Sequence, residues 1–224
     1  MAVGRVLVAG DVHGRFGALS TALELLEYDE HADHLVLLGD IINKGPDSHL
    51  SQEWLHHHRV LGNHEASMMS LSDASIMNPR RELVWLNLMG TLAQRRTYIS
   101  KLLNAPVMLE ITTPYGRNVG FMHGCVPFMD WNGARRIITD EFHPQFRDVV
   151  TMALTDRDHA LGVFDGTRGA VRGIDHVFLG HTPRTEPTTT SNTTLVDTSR
   201  NRTNPVTVLD VDQYIDLLNK ERTT

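Results

Sequence analysis

Three short apolar runs in the first 65 residues end in the same way, with a glycine followed by a polar side chain. The runs are "RVLVAGD", "HLVLLGD" and "RVLGNHE", from Arg59 to Glu65 in the last case, and each is typical of a buried strand. The segment "FGALSTALELLE" after the first run places apolar residues at the helical period. Strands that alternate with helices pair in parallel and are covered by helices on both faces. The pattern therefore predicts an α/β fold that begins with a parallel sheet.

The later part of the chain predicts a different strand arrangement. The segment from residue 66 to 104 is mostly helical in pattern, and "PVMLEIT" and "RNVGFMHG" on either side of "TPYG" predict a hairpin. Three further strands are expected in "HVFLGH", "TTLVDT" and "PVTVLDV", followed by a short helix. The sheet structure is thus expected to be mixed. Since no long linker interrupts the 224 residues, we expect a single domain over residues 1–224.

Composition narrows the class of protein. Acidic and basic residues are interspersed and the formal net charge is −6, which argues against a nucleic-acid-binding protein. The one cysteine, Cys125, rules out an intramolecular disulfide and is typical of a reducing cytoplasm. The sequence shows neither the pattern of a signal peptide nor an apolar stretch long enough to span a bilayer. We therefore expect a cytoplasmic protein without a membrane partner, and the oligomeric state stays open.

Thirteen histidines are present, and most of them are expected at the surface. The triplet His56 to His58 follows a predicted helix end, where a positive charge is favoured by the helix dipole. The sequence alone assigns no chemistry to this triplet.

Metal-ligand side chains follow five of the predicted strands. In open α/β sheets, ligands collect at the carboxyl ends of the strands, and a neighbouring glycine leaves room for them. Mixed oxygen and nitrogen donors suit Mn, Fe, Zn or Co, and six donors fit two ions that share a carboxylate better than one ion. Each ending alone is more typical of a helix cap or a turn than of a metal ligand. The six candidate ligands are Asp11, His13, Asp40, Asn63, His123 and His181, with Asp40 as the expected bridge.

The same motifs resemble those of a known enzyme family. "GDVHG", "GD" with "KG" four residues on, "GNHE", "HG" and "GH" are similar to the motifs of calcineurin-like metallophosphoesterases of the phosphoprotein phosphatase superfamily, from Gly10 to about Asp197. "GNHEASMM", and "GHTP" followed by "VDT", resemble the lambda-phosphatase-like serine/threonine protein phosphatases of bacteria and phages. The resemblance implies a four-layer αββα sandwich with mixed sheets and a dinuclear metal site at the carboxyl ends of the strands.

The resemblance also implies a role for each matching residue. One ion would be held by Asp11, His13 and Asp40, and the other by Asp40, Asn63, His123 and His181. The two ions are expected to be Mn, with Fe, Zn and Ni as alternatives. A hydroxide between them would attack phosphorus, and Asn63 would also contact the phosphate. His64 would act as the general acid, worth about 10²–10⁴-fold in rate, unless it only begins a helix.

Two residues depart from the family pattern, which places an aspartate and an arginine in the second motif. Asn43 stands in place of the aspartate that supports the catalytic histidine, so we expect its amide to accept a hydrogen bond from His64 without stabilising a positive charge. Lys44 replaces the arginine, keeping the charge but losing the planar fork that grips phosphate. The altered motif "NKGPDS" is closer to that of the diadenosine-tetraphosphatase-like members.

Three functions remain open on this evidence. The first is a serine/threonine protein phosphatase, the second a dinucleoside polyphosphate hydrolase, and the third a metal-binding regulatory module without turnover. The expected partners are accordingly a phosphorylated protein or a small phosphoester. A second phosphate-binding arginine is expected late in the chain, at Arg157 first, with Arg168 and Arg172 as alternatives.

Overall fold

A computed structural model describes residues 4–157, 169–199 and 205–223 of the chain. Its strands are β1 (Val6–Ala9), β2 (His34–Leu37), β3 (His58–Arg59), β4 (Met108–Thr112), β5 (Asn118–Met122), β6 (His176–Leu179), β7 (Thr188–Thr190), β8 (Thr193–Leu195) and β9 (Val208–Asp210). Its α-helices are α1 (Phe16–Leu25), α2 (Asn63–Ala66), α3 (Asp73–Met77), α4 (Leu92–Leu103), α5 (Trp131–Ile138), α6 (Phe146–Thr155) and α7 (Val211–Thr223). Short 3₁₀ helices cover Ser48–Trp54, Ser67–Ser70, Arg81–Met89 and Pro127–Met129.

The first sheet has the strand order β3-β2-β1-β9. β1 pairs in parallel with β2, and β2 with β3, as the opening pattern of the sequence predicts, while β9 is antiparallel to β1. The third predicted strand is wrong in its extent, because β3 ends at Arg59 and residues 63–66 are helical. The physical reason is Glu65, whose side chain accepts the backbone N–H of Gly62 and so caps a helix at this point.

The second sheet has the strand order β4-β5-β6-β8-β7 and is also mixed. The predicted hairpin is confirmed, since β4 and β5 are antiparallel with Thr112 opposite Asn118. β5, β6 and β8 then run parallel to one another. The short edge strand β7 has no counterpart among the predicted strands, because its residues are threonines without an apolar run.

The two sheets face each other, with helices on their outer sides. Alternate residues of a strand point to opposite faces, so Val8 of β1 packs with Phe121 and Phe178 of the second sheet, whereas its neighbour Leu7 packs with α1 and α4. The outer side of the second sheet is covered by α5 and α6. The fully buried Trp131 is the first residue of α5. This is the four-layer arrangement of mixed sheets that the family resemblance implies. Among the described helices, none is both long and apolar enough to cross a membrane.

Candidate metal centre

The carboxyl ends of strands from both sheets meet at one edge of the sandwich. The imidazole of His123, directly after β5, contacts the carbonyl oxygen of Leu38 at the end of β2 through Nδ1 at 2.7 Å. The backbone N–H of His181, after β6, donates to Oδ1 of Asp11, after β1, at 3.0 Å. The sandwich therefore brings together side chains that are as far apart as 170 positions in the sequence.

The backbone at this edge adopts a conformation that L-residues rarely take. The φ angles of His13, Asp40 and His181 are +48°, +48° and +63°. Such residues cost about 1–3 kcal/mol each and cluster at functional sites, where the surrounding structure holds them in place. At Gly62 a Cβ would collide with the backbone nitrogen and a carboxylate oxygen of Asp40. The glycine of "GNHE" is therefore required so that the loops after β2 and β3 can approach each other.

Asp40 lies between two groups of candidate ligands. Its Oδ2 is 3.7 Å from Nε2 of His13, which itself lies 3.6 Å from Oδ2 of Asp11. Its Oδ1 is 3.4 Å from Nε2 of His123, which lies 2.9 Å from Oδ1 of Asn63. His181 completes the second group, since donor atoms of Asp40, His123 and His181 lie within 4.8 Å of one another. The structure thus brings all six predicted ligands together, with Asp40 between the two groups.

The hydrogen bonds of the histidines define which ring nitrogen carries the proton and which has a lone pair. A carbonyl oxygen can only accept, so the nitrogen that contacts it carries the proton and the other nitrogen presents a lone pair. Ile42 fixes Nδ1 of His13 in this way, and Thr155 fixes Nε2 of His181. Burial lowers the pKa of His13 to about 3 and that of His181 to about 4, so both rings are neutral at neutral pH. In each of these two histidines, as in His123, one ring nitrogen contacts a carbonyl oxygen and the other can coordinate an ion.

The donor set fits divalent cations. Burial, together with the charges of Asp197 and Asp40, raises the pKa of Asp11 well above its ordinary value. Asp197 is itself buried, and within the described residues its Oδ2 has no hydrogen-bond partner. Lone pairs of neutral imidazoles face these carboxylates, and the amine of Lys44 lies 2.8 Å from Nε2 of His13. Buried hydrogen-bond acceptors that converge on one place are stabilised by a positive charge. A divalent metal ion bound through oxygen and nitrogen atoms supplies this charge.

His64 lies beside the six donors and is oriented by two other side chains. Its Nε2 is 3.8 Å from Oδ2 of Asp40, and its Nδ1 is 3.0 Å from Nδ2 of Asn43. The indole of Trp85 donates to Oδ1 of Asn43 at 2.9 Å. Because an indole N–H can only donate, it identifies the amide oxygen, and the amide nitrogen must therefore donate to His64.

This orientation is the reverse of the acceptor role that the sequence predicts for Asn43. Trp85 occupies the amide oxygen, so Nδ1 of His64 receives a hydrogen bond and its proton resides on Nε2, which faces the metal centre. Burial also lowers the pKa of His64. His64 is therefore a neutral hydrogen-bond donor toward the site. The sequence gives no signal for this contact, because Trp85 lies 42 positions from Asn43.

Glu65 has a structural role that was not among the predicted ones. Its buried carboxylate accepts four backbone N–H groups, from Asp40 at 2.7 Å, Ile41 at 3.0 Å, Ile42 at 3.3 Å and Gly62 at 3.0 Å. It therefore fastens the loop that carries Asp40 to the loop that carries the "GNHE" motif. A glutamate three residues after the residue that precedes a helix is the second half of the capping-box pattern and could have indicated this role.

Replacing Glu65 by glutamine is expected to lower the free energy of unfolding by about 1.5–3 kcal/mol. The amide keeps one oxygen but turns an NH₂ group toward backbone N–H donors, which leaves them without a partner. Thermal and urea denaturation would measure the change in the metal-free protein. Glu24→Gln is the matched control, since Glu24 is exposed on α1. Equal stability of the two variants would contradict this role for Glu65.

Only some of the candidate phosphate-binding residues lie near the candidate metal centre. Lys44 contacts His13, and Arg157 follows Thr155, whose carbonyl binds His181. The charge of Arg157 contributes to the lowered pKa of His181, after burial and His123. Arg172 is instead paired with Asp130 at 3.3 Å. Arg168 lies outside the described residues.

Comparison with known proteins relates this centre to phosphoesterases. A family model described as calcineurin-like phosphoesterase matches residues 4–185. Serine/threonine-protein phosphatase 1 of Salmonella typhimurium is 26% identical over 207 residues, which are 86% of this chain and 85% of that protein. The symmetrical bis(5'-nucleosyl)-tetraphosphatase of Buchnera aphidicola subsp. Baizongia pistaciae is 38% identical over 85 residues, which are 36% of this chain and 30% of that protein.

Solved structures show the same fold. A cold-active protein-tyrosine phosphatase of a Shewanella species superimposes with a TM-score of 0.56 over 88% of this chain and 72% of that chain, at 16% identity. A protein serine/threonine phosphatase from Saccharomyces cerevisiae gives a TM-score of 0.55 over 87% of this chain and 67% of that chain, at 13% identity. At such low identity these similarities concern the fold alone.

Proposed function

Because this chain belongs to the calcineurin-like phosphoesterase family, a family of hydrolases acting on phosphoric esters, we propose that it removes phosphate from phosphoserine and phosphothreonine in proteins. The observation that carries the proposal is the position of Asp40, between two groups of ligand atoms and 3.8 Å from the imidazole of His64. A phosphatase similar to this chain along most of both lengths supports the choice of substrate.

In this proposal the two groups of ligands hold two divalent ions, most simply Mn. Asp11 and His13 would bind one ion, Asn63, His123 and His181 would bind the other, and Asp40 would bind both. Bound at this place, two such ions neutralise the charge of a phosphoryl group and make a water molecule a better nucleophile. The remaining residues act on the substrate. Lys44 and Arg157 bring positive charge to the phosphate, and Asn63 lies next to it.

In this proposal His64 donates a hydrogen bond to the leaving-group oxygen. Its Nε2–H points toward the metal centre, because Asn43 donates to Nδ1 and is held in that orientation by Trp85. A hydrogen bond from Nε2 stabilises the negative charge that develops on this oxygen when its bond to phosphorus breaks. A neutral imidazole is a poor acid, however, so full transfer of the proton to an alkoxide is slow.

The surface next to Lys44 has room for a peptide. An open cavity of about 640 Å³ is lined by Lys44 and by residues of the 3₁₀ helix Arg81–Met89. Val84 and Leu88 present exposed apolar side chains there, and Arg81 and Glu82 present charge. A surface with both kinds of contact, directly beside the candidate phosphate-binding lysine, suits the residues that flank a phosphorylated serine.

A second candidate substrate is a dinucleoside polyphosphate. The observation that favours it is the contact between Asn43 and His64, since the phosphate released from a phosphoanhydride is a good leaving group and needs no proton. Tetraphosphatases that align with about a third of this chain agree with this alternative.

Parallel assays on the full chain separate the candidates. We expect hydrolysis of p-nitrophenyl phosphate in Mn²⁺ and none after chelation, and a higher kcat/KM for a phosphoserine peptide than for diadenosine tetraphosphate. The reverse order of the two substrates would transfer the assignment to the dinucleoside polyphosphate. Tight metal binding without hydrolysis of any of the three would identify a regulatory module instead.

Replacing Asn43 by aspartate is expected to raise kcat on the phosphoserine peptide by about 10-fold. One carboxylate oxygen can keep the hydrogen bond from Trp85 while the other accepts from a protonated Nδ1 of His64, so that the imidazolium becomes available as an acid. Turnover of p-nitrophenyl phosphate, whose leaving group needs no proton, should change little. The control is Asn104→Asp at an exposed position. Unchanged or lower turnover of the peptide would count against this explanation.

A further inference from the structure

Histidines gather at the edge of the sandwich opposite the candidate metal centre. β2 begins at His34 and β3 at His58, so these residues mark the amino ends of parallel strands whose carboxyl ends lead to the metal centre. The rings of His34 and His58 lie 5.8 Å apart. His31, His56 and His57 are close by in the sequence. The function proposed above uses none of these five residues.

Three side chains at this edge bring metal-ligand atoms close together. Glu30, His56 and His57 each offer one donor atom, and the three atoms lie within 4.8 Å of one another. Oε1 of Glu30 is 2.9 Å from Nε2 of His56, and the rings of His56 and His57 are 3.9 Å apart. We call these three residues the exterior trio.

The backbone that carries the exterior trio is fixed on both sides. Asp33 accepts hydrogen bonds from Arg5 and from the backbone N–H of Asp29, which closes the turn that presents Glu30. On the other side, His57 donates its backbone N–H to the carbonyl oxygen of Trp54 at 3.2 Å. The His57 ring lies between the rings of Trp54 and Tyr28, at 5.4 and 6.2 Å. The donor atoms are thus presented from two ordered segments.

An ion pair between Glu30 and His56 does not account for His57. Within the described part of the chain the His57 ring makes no hydrogen bond, although it lies beside the pair. The half-buried His57 ring instead offers one nitrogen within 4.8 Å of the donor atoms of Glu30 and His56. A cation bound between the three side chains would use this nitrogen together with the carboxylate.

We propose that Glu30, His56 and His57 form an exterior Zn²⁺ site, separate from the metal centre at the opposite edge. Two imidazoles and one carboxylate are a known ligand set of zinc, and a fourth position stays open to water or a ligand from outside. Ligand atoms around tetrahedral zinc lie about 3.4 Å apart, so the trio needs only small side-chain rotations. The Glu30 and His56 side chains, 62% and 53% exposed, are free to make them.

Zinc at this place would join the turn before β2 to the segment before β3. An ion that binds only the folded protein stabilises it in proportion to its occupancy, so Tm should rise with zinc concentration even when the opposite metal centre is defective. The site therefore has a readout that does not depend on phosphoesterase activity.

Zinc equivalents bound to the full chain, measured by equilibrium dialysis, test the proposal. We expect the unmodified protein to bind one equivalent more than His56→Ala or Glu30→Gln. His31→Ala is the matched control, since His31 is exposed, adjacent to Glu30 and outside the trio, and it should bind as much zinc as the unmodified protein. Asp40→Asn should lose zinc at the opposite centre and keep the exterior equivalent, which separates the two proposals.

Two results would overturn the exterior site. The first is equal zinc binding by His56→Ala, Glu30→Gln and the unmodified protein, which would leave Glu30 and His56 as an ion pair alone. The second is a loss of the same equivalent in His31→Ala, which would indicate diffuse binding by the histidine-rich edge. The rise of Tm with zinc in the Asp40→Asn background should likewise disappear when His56→Ala is added, and its persistence would contradict the assignment.

Discussion

Asp40→Asn is expected to lower kcat/KM for p-nitrophenyl phosphate by more than about 100-fold and to lower the content of bound metal. Replacing a residue that only orients a metal ligand costs about 10–100-fold, so the loss of a carboxylate that faces both groups of ligands should cost more. Oδ2 of Asp40 faces His13 and Oδ1 faces His123. An amide has one oxygen and no charge, so it cannot serve both ions. Metal analysis after gel filtration in Mn²⁺, together with initial rates, measures both effects.

The control for Asp40→Asn is Asp47→Asn. Asp47 lies on the same connection, after Lys44, and its backbone N–H donates to the carbonyl oxygen of Gly14. This variant should keep its metal and its activity. Full metal content together with full activity in Asp40→Asn would show that Asp40 does not bridge the two ions.

His64→Gln is expected to lower kcat on a phosphoserine peptide by about 10²–10³-fold while leaving the metal content unchanged. The reason is the position of Nε2–H, 3.8 Å from Asp40, where it can reach a leaving-group oxygen next to the metal centre. The loss on p-nitrophenyl phosphate should be much smaller, since its leaving group is stable as an anion. A series of phosphomonoesters with leaving groups of increasing pKa would measure the difference.

Comparison with His31→Gln gives the baseline for His64→Gln, because His31 is exposed at the opposite edge of the sandwich. Two patterns would refute the assigned role. An equal loss for all leaving groups would indicate that His64 only binds the phosphate, and a loss of metal would indicate that it acts as a ligand.

Much of the fold could be predicted from local sequence. The apolar runs before Asp11 and Asp40 are short, consist of valine, leucine and alanine, and are followed by a glycine. Such runs are typical of buried strands, which is what they form. The hairpin around "TPYG" depends on adjacent residues only and was predicted correctly. The prediction for Arg59 to Glu65 was wrong after Arg59, because a side chain at the end of the segment caps a helix and competes with strand formation.

The candidate ligands were also predictable as a set, and for a related reason. Each lies within four residues after the last residue of a strand, and parallel strands deliver their carboxyl ends to one edge of a sheet. The order of the motifs in the sequence therefore predicts that the ligands lie close together. The contacts of Asp40 with His13 and with His123 agree with this prediction. Their roles as ligands rest on the experiments above.

Contacts between side chains that are distant in the sequence depend on how the chain packs in three dimensions. The direction of the Asn43 amide depends on an indole N–H that arrives from a separate 3₁₀ helix, and this direction sets the proton of His64. The exterior trio brings Glu30, before β2, close to His56 and His57, before the neighbouring strand β3. Most strands, and the polar residues that follow them, could be read from local sequence preferences, whereas β7 and the helix at residues 63–66 could not. The partner of each hydrogen bond was decided by packing, because an amide or an imidazole can donate or accept until its neighbours are in place.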